Sequence, residues 1–517
     1  MILGIANGQE ISSGTRGVQA STSVPRRPDL PFKISAFIAG SAMVLGVLFD
    51  YLFYNAPIGI SYFIFVLAFY TVFFGLAWRQ IGVGLNFATF LFLPILLLSL
   101  SFGVFSNPLL RGINLFLIPF LLFIQTLLLA LRSRFPWFDL RFVADFLNGK
   151  IIHTFQNLWR PYRIVISASN ADPAAVAGIR RVLLGLLLSI PLALIVVSLL
   201  SSADAIFNEY LADLSNILDA GLRPFLSRSA IILCASTLLS GYFYTLLWMP
   251  ACKPVEVRGE SPRTLDSLIV STILFVINAI YILFAVIQFS YLFGGKDPVS
   301  HGFMTYADYA RHGFFELLVV TSINFTVMLV CAHHTRREGN SFKFGLRVLL
   351  SLLVVCTAVI LYSAHFRLAL YEEAYGYTYA RLYAHSIMLW FALLFLMALY
   401  KIWVDRASFE KLAIIITLVL YLGLNYAGVD VLIARQNIER YRRAGRIDIA
   451  YLLKLSTEAV PVYAVLCSPG TVDEQVEGAV CDHLLGLRRH LAVDRRWQSF
   501  NLSKERARRV VVALGKG

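Results

Sequence analysis

Residues 365–385 read HFRLALYEEAYGYTYARLYAH, a polar and aromatic stretch that follows one long apolar run and leads into another. Charged side chains alternate with tyrosine rings in it, whereas the runs at roughly 344–364 and 379–403 are mainly apolar. About 20 consecutive apolar residues are enough to cross the hydrocarbon core of a bilayer. The stretch therefore predicts a connection between two membrane-spanning helices, with its polar chemistry at the membrane boundary.

The composition of the whole chain agrees with this interpretation. Of its 517 residues, 58% are hydrophobic and only 15% are charged, whereas soluble domains carry about a quarter charged residues. The net charge of +14 does not indicate a nucleic-acid-binding protein, because the basic residues lie mostly in short loops between apolar runs. We expect an all-α, polytopic transmembrane helix bundle surrounded by membrane lipid, with no nucleic-acid partner.

Eleven apolar runs are long enough to span a membrane. They lie at roughly 34–54, 58–78, 81–104, 110–131, 180–202, 227–249, 266–292, 312–333, 344–364, 379–403 and 410–427. The chain then divides into a disordered tail at 1–32, a helix bundle of about eleven spans at 33–427, and a small helical domain at 428–517.

The charges of the loops predict the orientation of these spans. Arg79 and the basic loop at 132–181 lie on the same side as the amino terminus, whereas the loop on the other side after run five carries Asp204 and Glu209. The positive-inside rule places the basic side in the cytoplasm. An odd number of spans then makes the domain at 428–517 an extracytoplasmic cap.

Two cysteines of this cap, Cys467 and Cys481, flank a Ser-Pro-Gly turn at 468–470. In an oxidising compartment they are able to form a disulfide, which on the chain-entropy model is worth about 3 kcal/mol. Two unpaired thiols are the alternative, because pairing cannot be derived from sequence.

The longest cytoplasmic loop, at about 133–179, has an amphipathic pattern. Apolar residues such as Phe142, Phe146 and Phe155 recur at near-helical spacing, and basic residues occupy other positions. The pattern predicts a helix in the inner-leaflet interface. Packing against neighbouring cytoplasmic loops is the alternative.

Several stretches of the chain resemble a known family of bacterial membrane proteins, domain of unknown function 4173. The resemblance extends from the first apolar run to the end of the chain and is carried by residues 201–207, 288–295, 306–317, 375–383, 434–439, 448–456 and 497–503. It implies a polytopic bundle with a carboxy-terminal cap in the bacterial cytoplasmic membrane. It implies no established activity, substrate or cofactor.

By the loop count, most polar and aromatic groups gather on the extracytoplasmic side. Ionisable groups near hydrocarbon are costly and tend to mark pathways or sites. We therefore predict a ligand-binding pocket built from Tyr306, Tyr309, Arg311, Glu316, Arg367, Glu372, Glu373, Tyr375, Arg381 and Tyr383. The alternatives are interfacial belt tyrosines and structural ion pairs at helix ends.

The tyrosines of the 365–385 stretch also carry a structural expectation. On a continuous helix Tyr371 and Tyr375 share a face with Tyr379, so the tenth helix is predicted to begin before the lipid core. Gly376 permits a break within it.

Other chemistries have weak support in the sequence. His333-His334 lacks metal-ligand spacing and lies among basic residues, so no metal or other cofactor is expected. Glycine-rich phosphate loops, nucleophile elbows and kinase signatures do not occur, which argues against ATP-driven chemistry within this chain.

Three functional hypotheses remain. The favoured one is a non-catalytic, transporter-like or envelope-associated accessory protein that binds a polar or lipid-linked ligand, alone, as a homo-oligomer or with a protein partner. The second is a membrane-embedded transferase of the glycosyltransferase type, with Asp50, Glu372 or Glu373 as base or metal ligand. The third is a signalling partner that senses the envelope through its cap.

Overall fold

The computed structural model describes residues 28–78, 81, 86–133, 135–168, 173–250, 265–293, 314–335, 340–404, 408–468, 470, 472–493 and 496–514. These residues form helices and their connections, and no β-strand occurs among them. The predicted all-α polytopic fold is therefore confirmed. The predicted tail at 1–32 lies almost wholly outside the described residues.

All eleven predicted apolar runs correspond to helices. Those of the bundle are α1 (Phe32–Phe53), α2 (Ser61–Ala77), α3 (Phe87–Phe90), α4 (Phe92–Val104), α5 (Pro108–Leu129), α9 (Pro173–Ala203), α10 (Ala205–Trp248), α11 (Ser267–Phe293), α12 (Phe314–His334), α13 (Asn340–Tyr375), α14 (Tyr379–Trp403) and α15 (Phe409–Tyr426), where α3 and α4 share one run. Within the described parts of the chain, nine segments are long and apolar enough to cross a membrane. Shorter apolar helices at Ser61–Ala77 and Pro191–Ser202 account for the other two runs.

The bundle has two apolar cores. The first joins α1, α2, α4, α5 and α10, and the second joins α11 to α15. Packing of α15 against both α14 and α4 connects the two cores. The contact between α1 and α10 is close at Gly46, where a Cβ atom would lie 2.8 Å from the carbonyl oxygen of Ile232, and small residues allow such close approach of membrane helices.

The amphipathic segment lies across the ends of α1 and α10. It comprises α6 (Leu140–Asp145), a π-helical turn (Phe146–Ile151), α7 (Ile152–Gln156) and α8 (Arg160–Ala168). The Asn157 Nδ2 donates to the Thr245 Oγ1 at 3.1 Å, while Phe155 and Trp159 are 59% and 62% exposed. The segment therefore packs against the bundle and also keeps an apolar face, which is the pattern of an interfacial helix.

The cap is a small helical unit with its own core. It contains α16 (Val429–Ala444), α17 (Ile449–Leu452), α18 (Val460–Tyr463), α19 (Glu474–Val493) and α20 (Leu502–Leu514), with 3-10 turns at Ala464–Cys467 and Trp497–Ser499. Its core includes Ile433, Tyr463 and Val480, and it extends to Leu110 in the first turn of α5. Cys467 and Cys481 are joined by a disulfide, with their Cα atoms 5.2 Å apart.

The cap rests on three connections at one end of the bundle. The Ile60 N–H, between α1 and α2, donates to the Phe500 carbonyl at 3.0 Å. The Asn501 Nδ2 donates to the Phe102 and Phe105 carbonyls, at the end of α4, at 2.9 and 2.8 Å. Together with the 376–378 connection described next, these contacts define the cap side of the bundle.

The polar stretch at 365–385 forms the third connection. Helix α13 continues to Tyr375, so Tyr371 and Tyr375 lie on α13, and the prediction that they precede Tyr379 on one helix is wrong. The predicted break at Gly376 is present, with φ at +85°. The helix ends there because a glycine in the left-handed region closes it, with the Gly376 N–H donating to the Glu372 carbonyl at 2.7 Å.

Residues of α16 hold this break in place. The Asn437 side chain accepts from the Tyr377 N–H and donates to the Tyr377 carbonyl, both at 2.8 Å. The Arg440 Nε and Nη2 donate to the carbonyls of Glu373 and Ala374 at 2.8 and 2.5 Å. These bonds satisfy carbonyls that the end of α13 leaves without helical partners.

Replacement of Gly376 by alanine tests this arrangement. A Cβ atom at this position would lie 2.6 Å from the Asn437 Oδ1, and an L-residue in the left-handed region costs about 1 to 2 kcal/mol. We expect Gly376→Ala to lower the free energy of unfolding by roughly 2 to 4 kcal/mol, measured by denaturation in detergent micelles, since a partly buried hydrogen bond between Asn437 and Tyr377 is lost as well.

Two matched glycine variants separate strain from the clash with Asn437. Gly445 also has a positive φ, of +67°, but a Cβ atom there would meet nothing within 4 Å. Gly445→Ala therefore has the backbone cost alone. Gly345→Ala lies in α13 without positive φ or close neighbour and should cost nothing. If Gly376→Ala lowers the free energy of unfolding no more than Gly445→Ala does, the contact between Gly376 and the Asn437 side chain has no part in the requirement for glycine.

Candidate functional site

Two neighbouring polar clusters lie on the cap side of the bundle. The first, here called the cap joint, consists of Ser106, Asn107, Tyr379, Asp430, Ser456 and Glu458. The Asp430 side chain, in the first turn of α16, is 0% exposed. It accepts from the Asn107 Nδ2 at 2.8 Å, from the Ser456 N–H at 2.8 Å and from the Tyr379 hydroxyl. A buried carboxylate needs such donors, and here they come from three parts of the chain.

Glu458 closes the cap joint from the other side. Its Oε1 accepts from the backbone N–H groups of Ser106 and Asn107, at 2.5 and 2.9 Å. Asn107 is itself the N-cap of α5, with its Oδ1 accepting from the Leu110 N–H at 3.1 Å and from the Tyr383 hydroxyl at 3.2 Å. The cap thus supplies acceptors for the amino-terminal end of a membrane-spanning helix, where helical partners are absent.

The position of Glu458 changes its protonation. The pKa of this carboxyl is raised to about 7, mainly by burial and also by the negative charge of Asp430. Hydrogen bonds from Ser106 and Asn107 and the charge of Arg111 act in the opposite direction. Glu458 therefore titrates near neutral pH, within the contact that joins the cap to the bundle.

Beneath the cap joint, polar groups of α5 continue into the bundle. The Asn114 Nδ2 donates to the Asn425 Oδ1 at 2.7 Å, and the Tyr421 hydroxyl donates to the Asn114 Oδ1 at 2.6 Å. The Arg111 Nη1 donates to the Phe102 carbonyl at 3.0 Å. The cavity between these groups measures about 10 Å³, which is room for roughly one water molecule. The joint is closed to larger ligands.

The second cluster, here called the histidine site, lies between the end of α13 and the start of α14. Glu372, only 4% exposed, has its Oε2 3.0 Å from the His385 Nε2. The His385 Nδ1 lies 3.0 Å from the His365 Nδ1, and His365 is exposed. The three side chains form a hydrogen-bonded row from a buried carboxylate to the surface.

Arg381 lies next to this row. Its guanidinium stacks over the Tyr371 ring, 4.1 Å from the ring centroid, a distance at which the cation and the ring attract each other. The Nη1 also donates to the Gly376 carbonyl. A guanidinium has five N–H donors, so four remain without a hydrogen-bond acceptor among the described residues. Arg381 is therefore fixed in position and keeps N–H groups that are able to bind a ligand.

The structure separates the predicted pocket residues into groups. Glu372 and Arg381 lie at the same helix junction, with Glu373 and Tyr375 exposed beside them and the Tyr375 ring centroid 5.0 Å from that of Tyr371. Tyr383 belongs to the cap joint through Asn107.

The remaining predicted residues are less informative. Arg367, on α13, is partly buried, and Glu316 is exposed in the first turn of α12. Tyr306, Tyr309 and Arg311 lie outside the described residues.

Three residues of the cap joint, Asn107, Asp430 and Glu458, were absent from the sequence prediction. One signal for them exists in the apolar run of α5. Asn107, Arg111 and Asn114 recur there at four- and three-residue steps, which places them on one helical face. A polar stripe on an apolar helix indicates an inward-facing polar contact, although it does not identify the partner.

Asp50, a carboxylate of the transferase hypothesis, is engaged elsewhere. It is 1% exposed, and its Oδ2 accepts from the Arg228 Nε and Nη2 at 2.8 and 2.6 Å. A buried carboxylate whose Oδ2 accepts both of these bonds from one arginine is poorly placed to reach an acceptor hydroxyl. Among the residues that the structure describes, no group of three or more His, Cys, Asp or Glu side chains is arranged to hold a metal ion.

The raised pKa of Glu458 leads to a test of the cap joint by pH. Its usual value is 4.5 and its value here is about 7, so the neutral form is favoured in the folded state. This group's contribution to stability is fully present below pH 4.5 and is lost as the pH rises through 7, with a total on the order of 3 kcal/mol. Glu458→Gln keeps the acceptor oxygen and removes the charge.

We therefore expect Glu458→Gln to match the wild type near pH 4.5 and to exceed its free energy of unfolding by about 3 kcal/mol at pH 8. Denaturation in micelles across this range measures the difference. Glu505→Gln, a surface carboxylate of the cap paired with Arg508, serves as the control. A difference between wild type and Glu458→Gln that is constant with pH would count against a titrating joint.

Comparisons with known proteins identify the family of the chain. A model of a family described as a domain of unknown function, DUF4153, matches residues 92–466, which is more than half of the chain. No curated protein and no solved structure matches. The resemblance to domain of unknown function 4173 was therefore wrong in the number of the family, though right in pointing to a membrane family without an assigned function. The chain belongs to the DUF4153 family.

Proposed function

We propose that this integral membrane protein is a non-catalytic, envelope-associated accessory protein that binds a polar or lipid-linked ligand through an anionic group. The observation that supports this most directly is the state of Arg381. Its guanidinium is fixed by the Tyr371 ring and the Gly376 carbonyl, and four N–H donors remain for a ligand. Arginine forms paired hydrogen bonds with carboxylate and phosphate groups, so an anionic headgroup is the ligand chemistry that fits.

The surroundings of Arg381 suit a ligand at a membrane boundary. Tyr375 is exposed at the same helix junction, and the adjoining helices α13 and α14 are apolar enough to span the bilayer. A headgroup at this height would meet the arginine while an attached acyl chain follows the helices.

The closed cap joint argues for an accessory role over transport. Its carboxylates are hydrogen-bonded and the cavity between the groups of the bundle beneath it holds about one water molecule. A solute that entered the bundle beneath the cap would have to pass this joint, which offers no passage within the part of the chain described here.

A second candidate function, sensing of the envelope, is favoured by Glu458. Its pKa of about 7 lies at the contact between cap and bundle, so a change in external pH alters the charge in that contact. In this case the cap joint would be the responsive element and the cap the part that a signalling partner contacts.

Both proposals place the cap outside the cytoplasm, in a bacterial cytoplasmic membrane with the amino terminus inside. The disulfide between Cys467 and Cys481 supports this orientation, because such bonds persist in oxidising compartments.

We expect the pair Cys467 and Cys481 to be linked in cells. Thiols are blocked before lysis, and peptides are analysed by mass spectrometry with and without reductant. Both cysteines should be modified only after reduction, whereas the free Cys331 and Cys356 should be modified in denatured protein without it. A pair that is blocked directly in cells would contradict both the bridge and the outward cap.

Substitution of Arg381 tests the ligand proposal. We expect Arg381→Ala to weaken the binding of phosphatidylglycerol by roughly 10- to 100-fold, since hydrogen bonds to charged groups are worth about 1.5 to 3 kcal/mol. Native mass spectrometry of detergent-solubilised protein titrated with phosphatidylglycerol, against phosphatidylcholine, measures the effect. Glycerol 3-phosphate as a competitor distinguishes a lipid from a soluble anion.

Arg443→Ala is the matched control, because this cap arginine is exposed and paired with Glu439. It should bind phosphatidylglycerol as the wild type does. If Arg381→Ala and Arg443→Ala bind phosphatidylglycerol equally, the ligand proposal is contradicted and Arg381 has a structural role only.

A further inference from the structure

We propose that His365 and His385 form a binding site for a transition-metal dication of the Zn²⁺ class. The inference goes beyond the proposed function and does not depend on it, since the metal is bound by the histidines and the anionic ligand by Arg381. Imidazole nitrogens suit zinc and its neighbours among the divalent metals.

The first argument is the distance between the two rings. The His365 Nδ1 and the His385 Nδ1 are 3.0 Å apart, and the ring planes make an angle of 67°. Two nitrogens bound to one tetrahedral zinc ion, each about 2.0 to 2.1 Å from it, lie about 3.3 Å apart. To hold the ion, the two nitrogens need to separate by only a few tenths of an ångström, and each ring needs to turn so that its lone pair points to the ion and no longer to the other nitrogen.

The second argument is the carboxylate behind His385. Glu372 lies 3.0 Å from the His385 Nε2, so this nitrogen carries the proton and the Nδ1 has a free lone pair. A carboxylate that accepts from the second nitrogen of a metal-bound histidine is the usual outer partner of zinc ligands. Here Glu372 is buried and already fixes the tautomer that binding requires.

The proton balance follows from the same tautomer. Without metal, the His365 Nδ1–H donates to the His385 Nδ1, which is the only arrangement that satisfies both nitrogens when the two rings are neutral. Metal binding requires the other neutral tautomer of His365, in which the proton has moved through water from Nδ1 to Nε2. Both Nδ1 lone pairs then face the ion, and no proton is released in net.

Access to the site and its remaining ligands are also consistent with an ion. His365 is exposed on α13, ten residues before the end of this helix at Tyr375, and the cap-side end of the bundle is the nearer one for an ion that reaches the pair. Since the described residues contain no third histidine, cysteine or carboxylate ligand in place, water fills the other two positions. Open catalytic zinc sites have three protein ligands and one exchangeable position, so this two-histidine site has one exchangeable position more than they do.

The test uses untagged, full-length protein in lipid nanodiscs, titrated with ZnCl₂ by isothermal calorimetry. We expect wild-type protein to bind Zn²⁺ at this site, and His365→Ala or His385→Ala to lose it. Glu372→Gln keeps both ligands and should weaken the affinity by about 10- to 100-fold. His365 is exposed, so its replacement leaves the fold intact and gives an interpretable result even if His385→Ala fails to fold.

Two further variants act as controls. His483→Ala removes a histidine of the cap, close to Tyr463, and should bind as the wild type does. Arg381→Ala should also keep the zinc site, so that a failed ligand proposal and a failed metal proposal are distinguishable. The proposal is overturned if wild-type protein shows no zinc site, or if His365→Ala binds zinc as tightly as wild type.

Discussion

The structure depends on the burial of two carboxylates, Asp430 and Glu458, against the amino-terminal end of α5. Charges removed from water are costly unless hydrogen bonds replace the lost hydration. At this point the backbone N–H groups of the two residues that precede α5, Ser106 and Asn107, also need acceptors. The Glu458 carboxylate and the Ser106 and Asn107 N–H groups satisfy each other. The position of the cap is therefore determined by groups that neither the cap nor the bundle is able to satisfy alone.

Helix α16 connects the cap joint to the region of the histidine site. Asp430 begins α16, and Asn437 follows seven residues later on the same face, where its amide brackets Tyr377. The joint and the 376–378 connection are thus held by two points of one rigid element. A displacement of α16 that strains the cap joint must also move the connection on which Arg381 is anchored, through the Gly376 carbonyl. The two clusters are mechanically linked although they share no hydrogen bond.

Sequence reasoning found what local pattern determines. Apolar runs long enough for a bilayer predicted the spans of the bundle, and Gly376 marked the break after α13. The loop predicted after run five was wrong, because Glu209 lies on α10, which begins at Ala205 and not near residue 227. The assignment of Tyr371 and Tyr375 failed because helix continuation on either side of a glycine is not decided by spacing. The cap joint was missed because Asn107 and Asp430 are 323 residues apart in sequence. Such contacts depend on how α5 and the cap pack. The polar face of α5 indicated which side of this helix makes a polar contact, but it did not identify the partner.

The two clusters differ in how completely their polar groups are used. In the cap joint, Asp430 has three donors and its neighbours leave space for only about one water molecule. At the histidine site, Arg381 retains four donors and His365 faces the surface with a ring nitrogen to spare. Polar groups with unused capacity at a membrane boundary are costly unless something occupies them. On the proposed function, a ligand binds beside the joint, and the 376–378 connection is the part of the structure that links its site to the cap.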